Sequence, residues 1–175
     1  MTPAAVTFRE VPCSSDTEAV RRIVSSTGFF QPFEVEVAVE LVQERLDRGI
    51  ASEYFFRFAE AGAEVVGYTC FGPIPCTISS VDLYWIAVDG AWQGKGLGMR
   101  LMSETEKAIS AGVAGARPPF CNSGNGRRVY IETSGKELYG PTQRFYERAG
   151  FRLEARLESF YAPGDDKLVY VKTLA

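Results

Sequence analysis

A chain of 175 residues with 46% apolar and 23% charged residues is sized for a single domain over 1–175 with its own core. It has no histidine, which removes His-based serine and cysteine triads and ordinary His-containing zinc sites; its net charge of −3, with no basic cluster longer than Arg127-Arg128, argues against nucleic acid or an anionic membrane surface as partner. No apolar run approaches the roughly 18–20 residues that a bilayer span needs, and the opening MTPAAVTFREV has neither a basic head nor an apolar signal core, so no membrane partner and a cytoplasmic location are expected.

Val6 to Val11 is the first strand candidate. Ser15-Asp16-Thr17-Glu18 then has the form of a capping box, with Ala19, Val20, Ile23 and Val24 giving the helical spacing behind it. Gly28-Phe29-Phe30-Gln31-Pro32 breaks that helix. A second helix carries Val35, Ala38, Val39, Val42 and Leu46 on one face and stops at Gly49. Tyr54 to Glu60 and Glu64 to Phe71 form a hairpin around Ala61-Gly62-Ala63. Val81 to Val88 (VDLYWIAV) is too uniformly apolar for a half-exposed strand and belongs in the sheet centre with both faces covered.

Leu97, Leu101, Thr105, Ala108 and Ile109 mark a third helix closed near Gly112. Residues 113–127 form the longest irregular stretch, a length usually kept for function or motion. Arg128 to Thr133 is a strand, Thr142 to Ala149 a short helix stopped by Gly150, and strands at about 151–161 and 167–173 flank Pro163-Gly164-Asp165-Asp166. The order β-α-α-β-β-β-α-β-α-β-β predicts an α+β fold around one mixed sheet. The four cysteines (Cys13, Cys70, Cys76, Cys121) contain no CxxC pair and read as reduced, mostly buried small residues rather than a metal or redox site.

The segment Val88-Asp89-Gly90-Ala91-Trp92-Gln93-Gly94-Lys95-Gly96-Leu97-Gly98 lies between an apolar strand and a helix. Glycines there let successive amides converge on one point, and the helix adds its positive end, so a diphosphate suits it. Counting excludes two phosphate loops. Walker A needs four residues between its first glycine and Gly-Lys-Ser/Thr, whereas Gly90 and Gly94 enclose three and Gly96 follows Lys95. The spacing Gly94-x-Gly96-x-Gly98 also fails the dinucleotide pattern G-x-G-x-x-G. A nucleotide-dependent phosphotransferase is therefore disfavoured.

Gln93-x-x-Gly96-x-Gly98 directly after a strand resembles the pyrophosphate-binding motif of the GNAT superfamily of acyl-CoA-dependent N-acyltransferases. Phe145-Tyr146-Glu147-Arg148-Ala149-Gly150-Phe151 is similar to that family's F-Y-x-x-x-G-F helix end, and element order agrees from about 6 to 173. The resemblance implies a mixed, mostly antiparallel sheet of about seven strands with helices on both faces. It should splay between the fourth and fifth strands after a bulge near Val88. It implies acetyl-CoA as acyl donor without a metal: pantetheine along Ile86, Ala87 and Val88, and diphosphate on the amides of Gln93, Gly94, Lys95, Gly96, Leu97, Gly98 and Met99. The Lys95 side chain has two readings, a phosphate contact or a solvent-facing ammonium. Many relatives carry Asn where this chain has Tyr139, so that cofactor contact must differ or come from Thr133, Ser134 or Tyr139 itself.

Amide formation from an ammonium of pKa near 10 must supply about 4 kcal/mol to remove its proton at neutral pH. A chain without histidine must use a carboxylate, directly or through water. Glu132 stands opposite Ile131 in Val129-Tyr130-Ile131-Glu132-Thr133 and is a carboxylate in an apolar strand. Its position resembles the strand glutamate of the ribosomal-protein alanine N-acetyltransferase branch; a structural ion pair is the other reading. Asp82 and Glu53 are rivals. Tyr146 matches the family's thiolate-protonating tyrosine, or is a core aromatic. The resemblance implies that Phe29, Phe30, Gln31 and Phe33 with Phe160, Tyr161, Asp165 and Asp166 flank the acceptor, aromatic and acidic as suits a cationic amine; equally, Phe29, Phe30 and Phe33 read as core residues and the aspartates as turn formers. The expected activity is acetyl transfer to a primary amine of a small molecule or peptide, by a monomer or homodimer. The alternative is a non-catalytic acyl-CoA-binding sensor or assembly module.

Overall fold

A computed structural model describes residues 5–112 and 127–174. The elements run β1 (Val6–Arg9), α1 (Asp16–Ser26), α2 (Pro32–Arg48), β2 (Phe55–Ala61), β3 (Glu64–Pro73), β4 (Ser80–Val88), α3 (Leu97–Ala111), β5 (Arg127–Ser134), α4 (Gly140–Arg148), β6 (Arg152–Ala162) and β7 (Asp165–Leu174), with short 3-10 turns at Gly49–Ser52, Gly90–Trp92 and Glu137–Tyr139. The seven strands form one sheet in the order β1-β2-β3-β4-β5-β7-β6. Neighbours are antiparallel except β4 and β5, which are parallel. The order expected from the sequence is the order found. The 113–126 part of the expected loop lies outside the described residues.

Helices cover both faces. On the front, α1 and α2 bury Val20, Ile23, Val24, Val35, Ala38 and Val42 against Phe56, Phe58, Tyr68, Cys70 and Ala87. That cluster takes nothing from β5, β6 or β7, so the front of those strands is free for a site. On the rear, Met102, Ala108 and Ile109 of α3 and Tyr146 of α4 pack on Val81, Leu83, Val129, Ile131, Leu168 and Tyr170. Burying each such aliphatic side chain contributes about 1.5–3 kcal/mol. The five residues that mark α3 by spacing are all buried. No helix among the described residues is long and apolar enough to cross a membrane.

Two local readings are corrected. Ser15 makes no side-chain cap at α1. Instead the Asp16 carboxylate, 1% exposed, accepts from Cys13 N at 2.7 Å and from both terminal nitrogens of Arg9 at 2.8 and 2.9 Å. A buried carboxylate paired this way outcompetes a neutral hydroxyl as the organiser of the helix start. The cysteines are also less buried than expected: Cys70 is inside, while Cys13 and Cys76 are exposed in flanking turns. Cys121 lies outside the described residues.

Candidate active site

The parallel β4–β5 pair holds for three residues only: Ser80, Val81 and Asp82 opposite Arg128, Val129 and Tyr130. On its other side β4 continues against β3 to Val88, but the register jumps, with Leu83 opposite Phe71 and Trp85 opposite Cys70. Tyr84 is therefore the bulged residue, four positions before the expected bulge at Val88. Its ring lies across Gly72, where an added Cβ would stand 3.1 Å from Tyr84 Cε2. The bulge also accounts for the unbroken apolar run. Val81 and Leu83 join the rear core, then the alternation flips and Trp85 and Ala87 join the front. The strand is central, yet its faces are not fully covered, since Tyr84 is 38% exposed. Beyond Asp82 the β4 edge facing β5 has no strand partner among the described residues, and the sheet opens there.

The glycine loop stands at the far end of that free edge. Asp89 fixes its start: its carboxylate accepts from Ala91 N at 2.9 Å and pairs with Arg22 of α1. Gly90 N donates to Ser26 Oγ at 3.1 Å, and Gln93 Nε2 donates back to Val88 O at 3.0 Å. Gly94 and Gly96 take positive φ (71° and 79°) with open space where a side chain would be. Among the described residues, none of the amides from Gly94 to Met99 has an acceptor, and the first helical bond is Arg100 N to Gly96 O at 3.2 Å. A row of free amides at a helix start is a ready site for a diphosphate. Gly98 serves packing instead, since a Cβ there would meet the Phe145 ring at 3.3 Å and hold α4 away from α3. The Lys95 ammonium folds back to Ala91 O at 2.8 Å, over the Trp92 ring.

Glu132 points to the front, as alternation requires, and is half exposed (48%) rather than buried. It pairs with Lys167 of β7, Nζ to Oε2 2.5 Å. The Lys167 ammonium also sits 4.2 Å from the centre of the Phe160 ring. Asp82, on the same face one strand over, has no hydrogen bond or ion pair with any described residue. Burial first, then the Glu132 charge, push its carboxyl up to about 6, with Lys167 pulling the other way. Burial and the Asp82 charge push the Tyr84 hydroxyl well above its ordinary range. Tyr161, raised to about 12 by burial and then by Glu132 and Asp165, stands on the same side. Tyr139 packs on Phe29 of the α1–α2 connection, ring centres 6.2 Å apart. It thus meets the loop expected on the acceptor side.

Asp165 and Asp166 are tied into the hairpin. The first accepts from Ser134 Oγ and pairs with Lys136 at 3.0 Å; the second accepts from Ser159 N at 2.8 Å and pairs with Arg156. They are structural, in line with the turn-former reading. Phe33 and Phe160 are exposed, whereas Phe30 packs against Trp85, ring centres 4.9 Å apart. Tyr146 is 6% exposed in the rear core beside Phe151 and Tyr170, and burial holds its hydroxyl protonated well above neutral pH. Glu132 and Tyr146 thus stand on opposite faces of the sheet. Neither Lys167 nor Tyr84 stands out in the sequence. Asp82 carries the same signal there as Glu132, a carboxylate within an apolar strand.

A family model described as an acetyltransferase (GNAT) domain matches residues 52–153. The chain belongs to the GNAT family. A GNAT-family protein from Desulfovibrio desulfuricans is 45% identical with a TM-score of 0.88, covering 98% of this chain and 100% of its own. The ribosomal-protein-S18-alanine N-acetyltransferase of Escherichia coli (15% identity, TM-score 0.70, 98% and 95% covered) shares the fold. So does an aminoglycoside 6'-N-acetyltransferase solved with coenzyme A (15%, 0.69, 98% and 97%). Curated sequences give no match. The splayed seven-stranded sheet is the GNAT fold of these neighbours, and the amides after β4 that have no acceptor among the described residues include those of Gly96 and Gly98.

Proposed function

We propose that this GNAT protein moves acetyl from acetyl-CoA to the primary amine of a small molecule or peptide by direct attack. The observation that carries the reading is the juxtaposition at one opening in the sheet. Six consecutive amides without an acceptor among the described residues, Gly94 to Met99, end a β4 edge that has no described strand partner, and two carboxylates, Asp82 and Glu132, face its other end. In this reading Gln93 to Met99 hold the diphosphate, mainly through backbone amides. The free edge at Ile86, Ala87 and Val88 hydrogen-bonds the pantetheine arm. Tyr139, tied to Phe29, shapes the acceptor side.

The front-face carboxylates supply the base that an ammonium acceptor needs, Glu132 being the residue matched to the family and Asp82 its neighbour. Tyr146, protonated at neutral pH, gives its proton to the departing thiolate. A backbone N–H freed at the Tyr84 bulge holds the oxyanion of the tetrahedral intermediate. Net, one nitrogen-borne proton leaves through the carboxylate to solvent. The C–N bond forms as the C–S bond breaks, the Tyr146 proton ends on the sulfur, and the second nitrogen-borne proton restores Tyr146.

Calorimetry with acetyl-CoA and with ATP, followed by thiol release over a panel of amines and peptides, tests the reading. Binding of acetyl-CoA but not ATP, with amine-dependent thiol release, is expected. Tight binding of acetyl-CoA with no transfer to any amine would instead make the protein an acyl-CoA-binding module.

A further inference from the structure

The two front-face carboxylates are not equivalent. Glu132 is engaged by Lys167 at 2.5 Å, and Lys167 is no loose surface lysine: its side chain is only 13% exposed and its ammonium is lodged against the Phe160 ring. Glu132 is thus the partner of an ammonium that is poorly hydrated and would otherwise stand unpaired. Asp82 has no such tie. It is the last residue of β4 paired to β5, two positions before the bulge, and is half-buried with no partner among the described residues. A half-buried carboxylate left without a donor costs free energy and returns none to the fold.

We propose that Lys167 divides the work of these carboxylates: by clamping Glu132 it makes that residue a positioning group and leaves Asp82 to take the proton from the acceptor amine. This rests on the acetyl-transfer reading given above. With strands about 4.8 Å apart and a rise of about 3.3 Å per residue, the Cα atoms of Asp82 and Glu132, one strand and two residues apart, are roughly 8 Å from each other. One ammonium between them is within reach of both side chains. The charged and titratable groups facing Asp82 are Tyr84 on its own strand, Arg128, Tyr130 and Glu132 on β5, and Lys167 on β7. Its carboxyl, raised to about 6 by burial and by Glu132, is ionised at neutral pH yet basic enough to be an efficient acceptor.

The step balances as follows. The ammonium gives one proton to the Asp82 carboxylate, and the freed amine forms the C–N bond to the thioester carbon. The C–S bond then breaks as Tyr146 protonates the sulfur, the second nitrogen-borne proton restores Tyr146, and Asp82 returns its proton to solvent.

The test is the pH profile of kcat/KM from pH 5 to 8, with acetyl-CoA and an alkylamine whose own pKa lies far above that range. In the wild type an acid limb near pH 6 is expected. Asp82→Asn should lose about 10²–10⁴-fold and the limb with it, while Asp82→Glu should restore both in part. Glu132→Gln should lose no more than about tenfold and move the limb to lower pH, because a negative neighbour of Asp82 is gone. Lys167→Met should move it to higher pH, because a positive neighbour is gone. Opposite displacements of one limb are not produced by residues that merely hold the fold. A profile in which Glu132→Gln carries the large loss and Asp82→Asn keeps both rate and limb would overturn the proposal. So would a wild-type profile flat between pH 5 and 7. A wild type that transfers acetyl to no amine overturns the parent reading as well, and is told apart by that.

Discussion

Replacing Gly72 with alanine probes the join between fold and site. An added Cβ would stand 2.4 Å from the Glu53 carbonyl oxygen, and 3.1 and 3.3 Å from Cε2 and the hydroxyl of Tyr84. The ring can swing, but the carbonyl is backbone and cannot. Relief requires the Glu53 segment or β3 to move by roughly 0.8 Å, to an ordinary contact of about 3.2 Å. Overpacking of that kind costs about 1–3 kcal/mol. For a chain of this size it lowers Tm by roughly 3–10 °C. Gly67 offers the internal control: its Cβ would meet Ala87 O at 3.2 Å and Val88 Cγ2 at 3.4 Å, so Gly67→Ala should cost clearly less. Thermal unfolding followed by circular dichroism gives both numbers. Because Tyr84 is pushed as well, kcat should fall further for Gly72→Ala than for Gly67→Ala. A Tm for Gly72→Ala within about 1 °C of wild type would refute the packing argument, and an unchanged kcat would detach the Tyr84 bulge from function.

Three further outcomes follow from the same geometry. The Asp82 carboxyl titrates near 6 when folded against an ordinary 3.8, so its contribution to stability is full below about 3.8 and is lost as pH rises through 6. That rise corresponds to about 3 kcal/mol at full strength, and to about 1–2 kcal/mol for a half-buried group screened by water. Asp82→Asn should therefore raise Tm by roughly 2–8 °C at pH 8 and by less at pH 5; a lower Tm at pH 8 would contradict the assignment. Gly96→Ala puts a side chain at φ +79° into open space, at a strain of about 1–2 kcal/mol; Tm should fall by roughly 2–8 °C, and relief of the strain by turning the loop amides should weaken acetyl-CoA binding about 5–30-fold by calorimetry. Tyr146→Phe keeps the packing against Phe151 and Tyr170 and removes only the proton, so turnover should fall at least tenfold with acetyl-CoA affinity held; equal turnover would return Tyr146 to a core role.

Element order is legible in the sequence because α1, α2 and α3 each bury one stripe and breakers sit at real ends, such as Gly49 after α2 and Gly112 after α3. The glycine loop is legible for a related reason. Gly94, Gly96 and Gly98 answer local demands, two for positive φ and one for close approach of Phe145. The bulge lies four residues earlier than expected because a bulge at Tyr84 leaves apolar residues on both sides of it, so the run VDLYWIAV shows no break in pattern. Ser15 has the right spacing to Glu18 for a cap, but the long-range partner Arg9 makes Asp16 the stronger organiser. The Lys167–Glu132 pair joins positions 35 residues apart in the chain, and the half-buried pair, beside an Asp82 carboxylate with no partner among the described residues, exists only once β5 and β7 are adjacent. No local pattern records such a pairing. The hairpin aspartates show the converse: acidic residues at a tip invite a functional reading, and Ser134, Lys136, Ser159 and Arg156 occupy them.

The most direct check on acetyl transfer at the β4–β5 opening is a stoichiometric one, in which thiol released from acetyl-CoA and acetylated product, identified by mass spectrometry, are counted in one reaction with a primary alkylamine. One thiol per N-acetylated product is expected, with both lost together in the double variant Asp82→Asn, Glu132→Gln. Thiol release that continues without amine, or product formation that survives removal of both carboxylates, would contradict it.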